Sequence, residues 1–134
     1  MSMVSPESKQ DVVNRKEKNM VEEHIGGLWS LEFFSNVVLP TGSGVAVLRN
    51  GRVLGGDTRY FYVGEYAVSG NLLSATVRLS HYFGPPEAIL GFGEKFTLKV
   101  KGNFEPTTFM ISGFVEENPS VTIDVHLTRR AELS

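Results

Sequence analysis

Gly27-Leu28-Trp29-Ser30-Leu31-Glu32-Phe33-Phe34 is the stretch that decides the fold. It opens the first β-strand of the chain, predicted over Leu28 to Asn36, and holds its only tryptophan. A glycine at the mouth of a strand lets the backbone pass close to a neighbour. An indole beside it is large enough to plug one end of a small closed barrel. Outward from this stretch to Arg130, the sequence reads as strand, turn, strand.

The second strand is predicted over Gly44 to Arg49, after a turn at Leu39-Pro40-Thr41-Gly42. Asn50-Gly51 is the clearest hairpin signal, because both central positions of a type I′ turn need positive φ. Arg52-Val53-Leu54 returns, and Gly55-Gly56-Asp57 bends the strand as a barrel corner requires. Tyr60 to Val68 and Leu72 to Tyr82 pair across Ser69-Gly70-Asn71. Phe96 to Val100, Thr108 to Val115 and Val121 to Thr128 complete the set, with turns read at Gly102-Asn103 and Asn118-Pro119. The expected fold class is all-β: about eight antiparallel strands in an up-and-down barrel or sandwich.

Alternation assigns the faces. Phe96, Leu98 and Val100 point one way and Lys95, Lys99 and Lys101 the other. Phe109, Ile111, Gly113 and Val115 share a face, as do Leu73, Ala75, Val77 and Leu79. Val121, Ile123, Val125 and Leu127 oppose Thr122, Asp124, His126 and Thr128. Trp29, Phe96, Leu98, Phe109, Ile111, Ile123 and Val125 are therefore the candidate lining of an interior ligand cavity. Gly64, Ala75 and Gly113 are inward positions that would widen it. The fourth strand is apolar on both faces, Tyr60, Tyr62 and Tyr66 on one and Phe61, Val63 and Ala67 on the other. Only one face can look inward. The other needs cover, and makes Tyr60, Tyr62, Tyr66, Phe61 and Val63 the candidate dimer or partner surface.

Composition bounds the rest. With 21% charged and 41% hydrophobic residues, 134 residues suit one soluble domain with one core. A net charge of −2 argues against direct nucleic-acid binding, which needs a basic surface. Absence of cysteine removes disulfides and thiolate chemistry and fits a reducing cytosol. No run approaches the length of a membrane span, and no signal-peptide pattern opens the chain. Residues 1–25 are polar and read as a mobile or weakly helical arm, with Pro6 and Glu7 at a helix start and Met20 as an alternative initiation point. Residues 26–134 form the barrel domain. Segment 83–94 carries one expected helical turn from Pro86 to Leu90, read as a plug or lid over one barrel end.

Chemistry is sparse. His24, His81 and His126 lie on different elements, without metal-ligand spacing. His81-Tyr82 closes a strand beside the lid segment, where a core-edge histidine is the expected reading. Asp124 and His126 read as a solvated pair, and Glu32 and Glu65 as water-facing. Serines sit in no nucleophile elbow, and Gly42-x-Gly44 and Gly91-x-Gly93 read as turns rather than phosphate loops. No constellation of nucleophile, base and orienting group assembles, so neither enzymatic activity nor a cofactor is expected.

Two resemblances follow from these residues. Gly27-Leu28-Trp29 with Arg129-Arg130 resembles a lipocalin-type barrel, which implies an arginine of the last strand lying over the first-strand tryptophan. Gly27-Leu28-Trp29-Ser30, Phe34-Ser35-Asn36, Gly42-x-Gly44-Val45, Asn50-Gly51, Leu54-Gly55-Gly56-Asp57 and Tyr62-x-Gly64, in that order, resemble the GrlR family. That resemblance implies a small lipocalin-like barrel, a homodimer, and a cytoplasmic regulator of type III secretion genes that binds a transcriptional activator rather than DNA. The family's acidic Glu-Asp-Glu-Asp run after the fourth strand is missing here, where Val68-Ser69-Gly70-Asn71-Leu72 stands. The expected function is a GrlR-like regulatory protein that binds a protein partner; the alternative is an intracellular carrier or sensor of a small hydrophobic ligand.

Overall fold

The computed structural model describes residues 24–36, 42–84 and 94–133. Eight strands close into a single barrel in sequence order: β1 (Gly27–Ser35), β2 (Ser43–Arg49), β3 (Arg52–Gly56), β4 (Tyr60–Ser69), β5 (Leu72–His81), β6 (Lys95–Asn103), β7 (Thr108–Val115) and β8 (Asn118–Ala131). Every neighbouring pair is antiparallel, and β1 pairs with β8 to close the ring. Alternation along each strand puts the apolar row inside, so the core is one continuous cluster from Ile25 to Leu127.

The turns explain themselves locally. Asn50 and Gly51 both take positive φ (49° and 80°), as the hairpin reading requires. The Gly55-Gly56-Asp57 element is a corner. A Cβ on Gly55 would stand 2.1 Å from the Val45 carbonyl oxygen, and one on Gly56 2.9 Å from the Tyr60 oxygen. Asp57 then fixes the turn into β4: its Oδ1 accepts from the backbone N–H groups of Arg59 and Tyr60, both at 2.8 Å.

Some expectations move. Gly102-Asn103 is not a turn but the end of β6, because a Cβ on Gly102 would lie 2.2 Å from the Met110 carbonyl; only glycine lets β7 approach there. The reversal falls over Phe104 to Thr107, and Phe104 enters the core. Asn118-Pro119 likewise belongs to β8, beside a register shift between Phe114 and Val115 that accommodates a proline without an N–H. The arm boundary also shifts. His24 and Ile25 have helical backbone, and Ile25 is fully buried. The rest of the arm, residues 1–23, the turn at 39–41 and the helical turn at 86–90 lie outside the described residues.

Candidate functional site

The Trp29 end is built as a plug. Trp29 is fully buried and packs edge-on against Phe109 (5.1 Å) and Phe104 (6.2 Å). Its Nε1 donates to the Ile25 carbonyl at 2.8 Å, which ties the last residue of the arm into the core. Arg129 of β8 stacks its guanidinium 4.5 Å from the indole centroid and donates to the carbonyls of Gly26 (2.8 Å) and Pro106 (2.9 Å). This end is closed by ring packing and by the hydrogen bonds of Trp29 and Arg129 to backbone carbonyls.

Among the described residues, the barrel interior holds a cavity of about 50 Å³. Its walls expose only carbon, from residues such as Leu31, Phe33, Leu48, Leu73 and Leu79. Ligand pockets run to roughly 300–1,000 Å³, and even benzene takes a cavity of about 150 Å³. Of the candidate lining residues, Leu98, Ile111 and Val125 face this cavity. Trp29 and Phe109 belong to the plug instead, Phe96 packs against Tyr60 (5.7 Å), and Ile123 is buried elsewhere in the core. Gly64 and Gly113 do not widen the interior. A Cβ on Gly113 would stand 1.7 Å from the Lys99 carbonyl oxygen, and one on Gly64 2.2 Å from that of Thr76. Both glycines let the sheet coil tightly, and the space is taken by the neighbouring strand.

The double-faced strand β4 resolves in one direction. Tyr60, Tyr62 and Tyr66 turn inward and are buried, so they are not surface residues. Their rings supply the bulk that fills the barrel, Tyr62 edge-on to Phe33 and Tyr60 edge-on to His81 and Phe96. The Tyr62 hydroxyl donates to Asp57 Oδ2, the same carboxylate that caps the corner. Burial first, then the adjacent carboxylate, push the Tyr62 phenol far above its ordinary range. His81 Nε2 is buried and finds no hydrogen-bond partner among the described residues.

Outward, β2, β3 and β4 carry an apolar plaque. Val47, Leu54 and Val63 stand in one cross-strand row, and Val45, Gly56 and Phe61 in the next. Val45, Leu54 and Phe61 are each almost half exposed, and the exposed Tyr82 ring lies 6.3 Å from Phe61. Charges bound the plaque: Arg52 opposes Glu65, which pairs with Arg78 at 3.1 Å. A second, smaller exposed set, Phe34, Met110 and Phe114, lies around β1, β8 and β7. There His126 stacks on Phe34 (4.9 Å). Glu32 and Glu65 both face water.

Sequence reasoning missed Phe104 and Ile25 as core residues and Leu54 and Val45 as surface ones. An aromatic after Gly-Asn signalled the first; the alternation of β2 and β3 held the signal for the last two. Among the described residues no cluster of His, Asp and Glu could hold a metal ion, and no helix is long and apolar enough to cross a membrane. Neither a protein-family model nor a curated protein matches the chain.

Proposed function

We propose that this barrel is a cytoplasmic, non-enzymatic binding protein of the GrlR-like kind, which works through its outer wall. It pairs with a second copy across the outer face of β2, β3 and β4 and tunes a protein partner, such as a transcriptional regulator. One observation carries this reading: the exposed apolar side chains of Val45, Leu54 and Phe61 stand in adjoining cross-strand rows of one outer face, with the Tyr82 ring beside Phe61. A soluble monomer rarely leaves such a contiguous apolar surface in water. Its charged border suits an isologous contact, since Arg52 of one copy can face Glu65 of the other. An interior of about 50 Å³ weighs against the carrier role.

Sedimentation velocity at micromolar concentration is the test. The wild type is expected to run as a dimer. Val63→Lys places an ammonium on the β4 side of the plaque and is expected to give a monomer with unchanged circular dichroism. A wild-type monomer would overturn the dimer. Native mass spectrometry of protein purified from cells completes it, since a retained small molecule would favour the carrier.

A further inference from the structure

Close packing leaves few voids larger than a water molecule inside a small domain. The interior of this barrel departs from that rule, since side chains leave about 50 Å³ of it unfilled. Two alanines account for the space. Ala46 of β2 and Ala75 of β5 point inward and are buried, in rows whose other members include Leu48, Leu73 and Leu79. Ala46 faces Gly55 across the β2–β3 pair, so two adjoining strands offer the interior only a methyl group there. Ala75 stands between Tyr66 and Val100. The large ring beside them cannot swing in to fill the gap. The Tyr62 hydroxyl is held by Asp57 and its ring by Phe33, which fixes it at the cavity wall.

We infer that this cavity is a binding site for a small nonpolar guest of about one to three heavy atoms, the class of dioxygen and xenon. Size sets both limits. A single water needs about 10–15 Å³ and benzene about 150 Å³, so a cavity of about 50 Å³ admits a guest between them. Wall chemistry sets the polarity. Only carbon faces the cavity, so a water or an alcohol inside it would give up its hydrogen bonds without replacement. A nonpolar guest gives up nothing of that kind and gains dispersion contacts with the aliphatic walls. The same walls exclude a lipid or a metabolite by volume alone, so the site differs from that of a carrier barrel. It lies inside the ring of strands, whereas the Val45, Leu54 and Phe61 plaque lies outside, and it stands whether or not the chain dimerises.

Methyl proton–carbon NMR spectra of the full chain under xenon pressure test this. The methyl groups of Leu31, Leu48, Leu73, Leu98 and Ile111 are expected to shift together and to saturate with a common dissociation constant. Those of Val45 and Leu54, on the outer wall, are expected not to saturate. Dioxygen, a paramagnet, is expected to broaden the same interior set. The melting temperature is expected to rise with xenon pressure, because a guest that binds only the folded state stabilises it. Ala75→Val adds bulk to the cavity wall and is expected to abolish the saturable shift. Val100→Ile, on the same wall, repeats the test should the first variant fold poorly. A wild type without a saturable shift, a folded Ala75→Val or Val100→Ile that binds xenon as tightly as the wild type, or methanol binding at these methyl groups more tightly than xenon would each overturn the assignment.

Discussion

Arg129 covers Trp29: the guanidinium from the last strand lies 4.5 Å from the indole centroid of the first and also spans the carbonyls of Gly26 and Pro106. One side chain therefore joins the entry of β1, the β6–β7 connection and β8 at the closing seam of the barrel. Arg129→Lys keeps the charge but loses the planar fork that makes these contacts together. It is expected to cost about 1–2 kcal/mol, combining a cation–π contact and one or more hydrogen bonds to carbonyls. Urea denaturation followed by Trp29 fluorescence reads both the stability and the changed surroundings of the indole.

Two glycines separate crowding from backbone strain. At Gly113 an added Cβ meets the Lys99 carbonyl at 1.7 Å. At Gly70 it meets nothing within 4 Å, but φ is +64°. Gly113→Ala is expected to lose about 3 kcal/mol or more, because backbone must move. Gly70→Ala is expected to lose only about 1 kcal/mol, the cost of a left-handed alanine. Equal losses in chemical denaturation would show that β6 and β7 can part to admit a methyl group.

Tyr62 sets an alkaline limit. Its folded-state phenol titrates far above its ordinary value, through burial and then through Asp57. An unfolded tyrosine ionises near pH 10, so the unfolded chain releases a proton that the folded one keeps. The stabilisation is fully present below about pH 10 and is lost as pH rises beyond it, at about 1.4 kcal/mol per pH unit for this one proton. Tyr62→Phe is expected to start less stable, by roughly 1–2 kcal/mol for the bond to Asp57, and to show a shallower decline above that pH. Parallel slopes for the two proteins would remove Tyr62 as the cause.

The polar arm is expected to be dispensable up to, but not including, Ile25. A chain shortened to begin at Met20 keeps the buried Ile25 and its carbonyl bond to Trp29. Its melting temperature is expected to stay within about 5 °C of the full chain, the shift that ~1 kcal/mol produces in a domain near this size. Ile25→Ala in the full chain is expected to cost about 2–4 kcal/mol, as for other large-to-small changes in a core. A larger drop for the truncation would show that residues before Met20 pack on the barrel.

Period-two alternation with turn chemistry was enough to set about eight antiparallel strands, the inward rows of β5 to β8 and the Trp29 plug. Those signals are local, and each strand repeats them independently. Asn50-Gly51 could be placed to the residue because its positive φ values are a property of the dipeptide itself. Gly102-Asn103 and Asn118-Pro119 could not, because whether a glycine or proline ends a strand depends on how near the next strand comes. The same holds for β4. Both of its faces are apolar, and only closure of the ring decides that the tyrosines fill the interior while Phe61 and Val63 face out. Cavity size is likewise a property of the closed barrel: Gly64 and Gly113 read as empty space in the sequence, but in three dimensions the strands close over them.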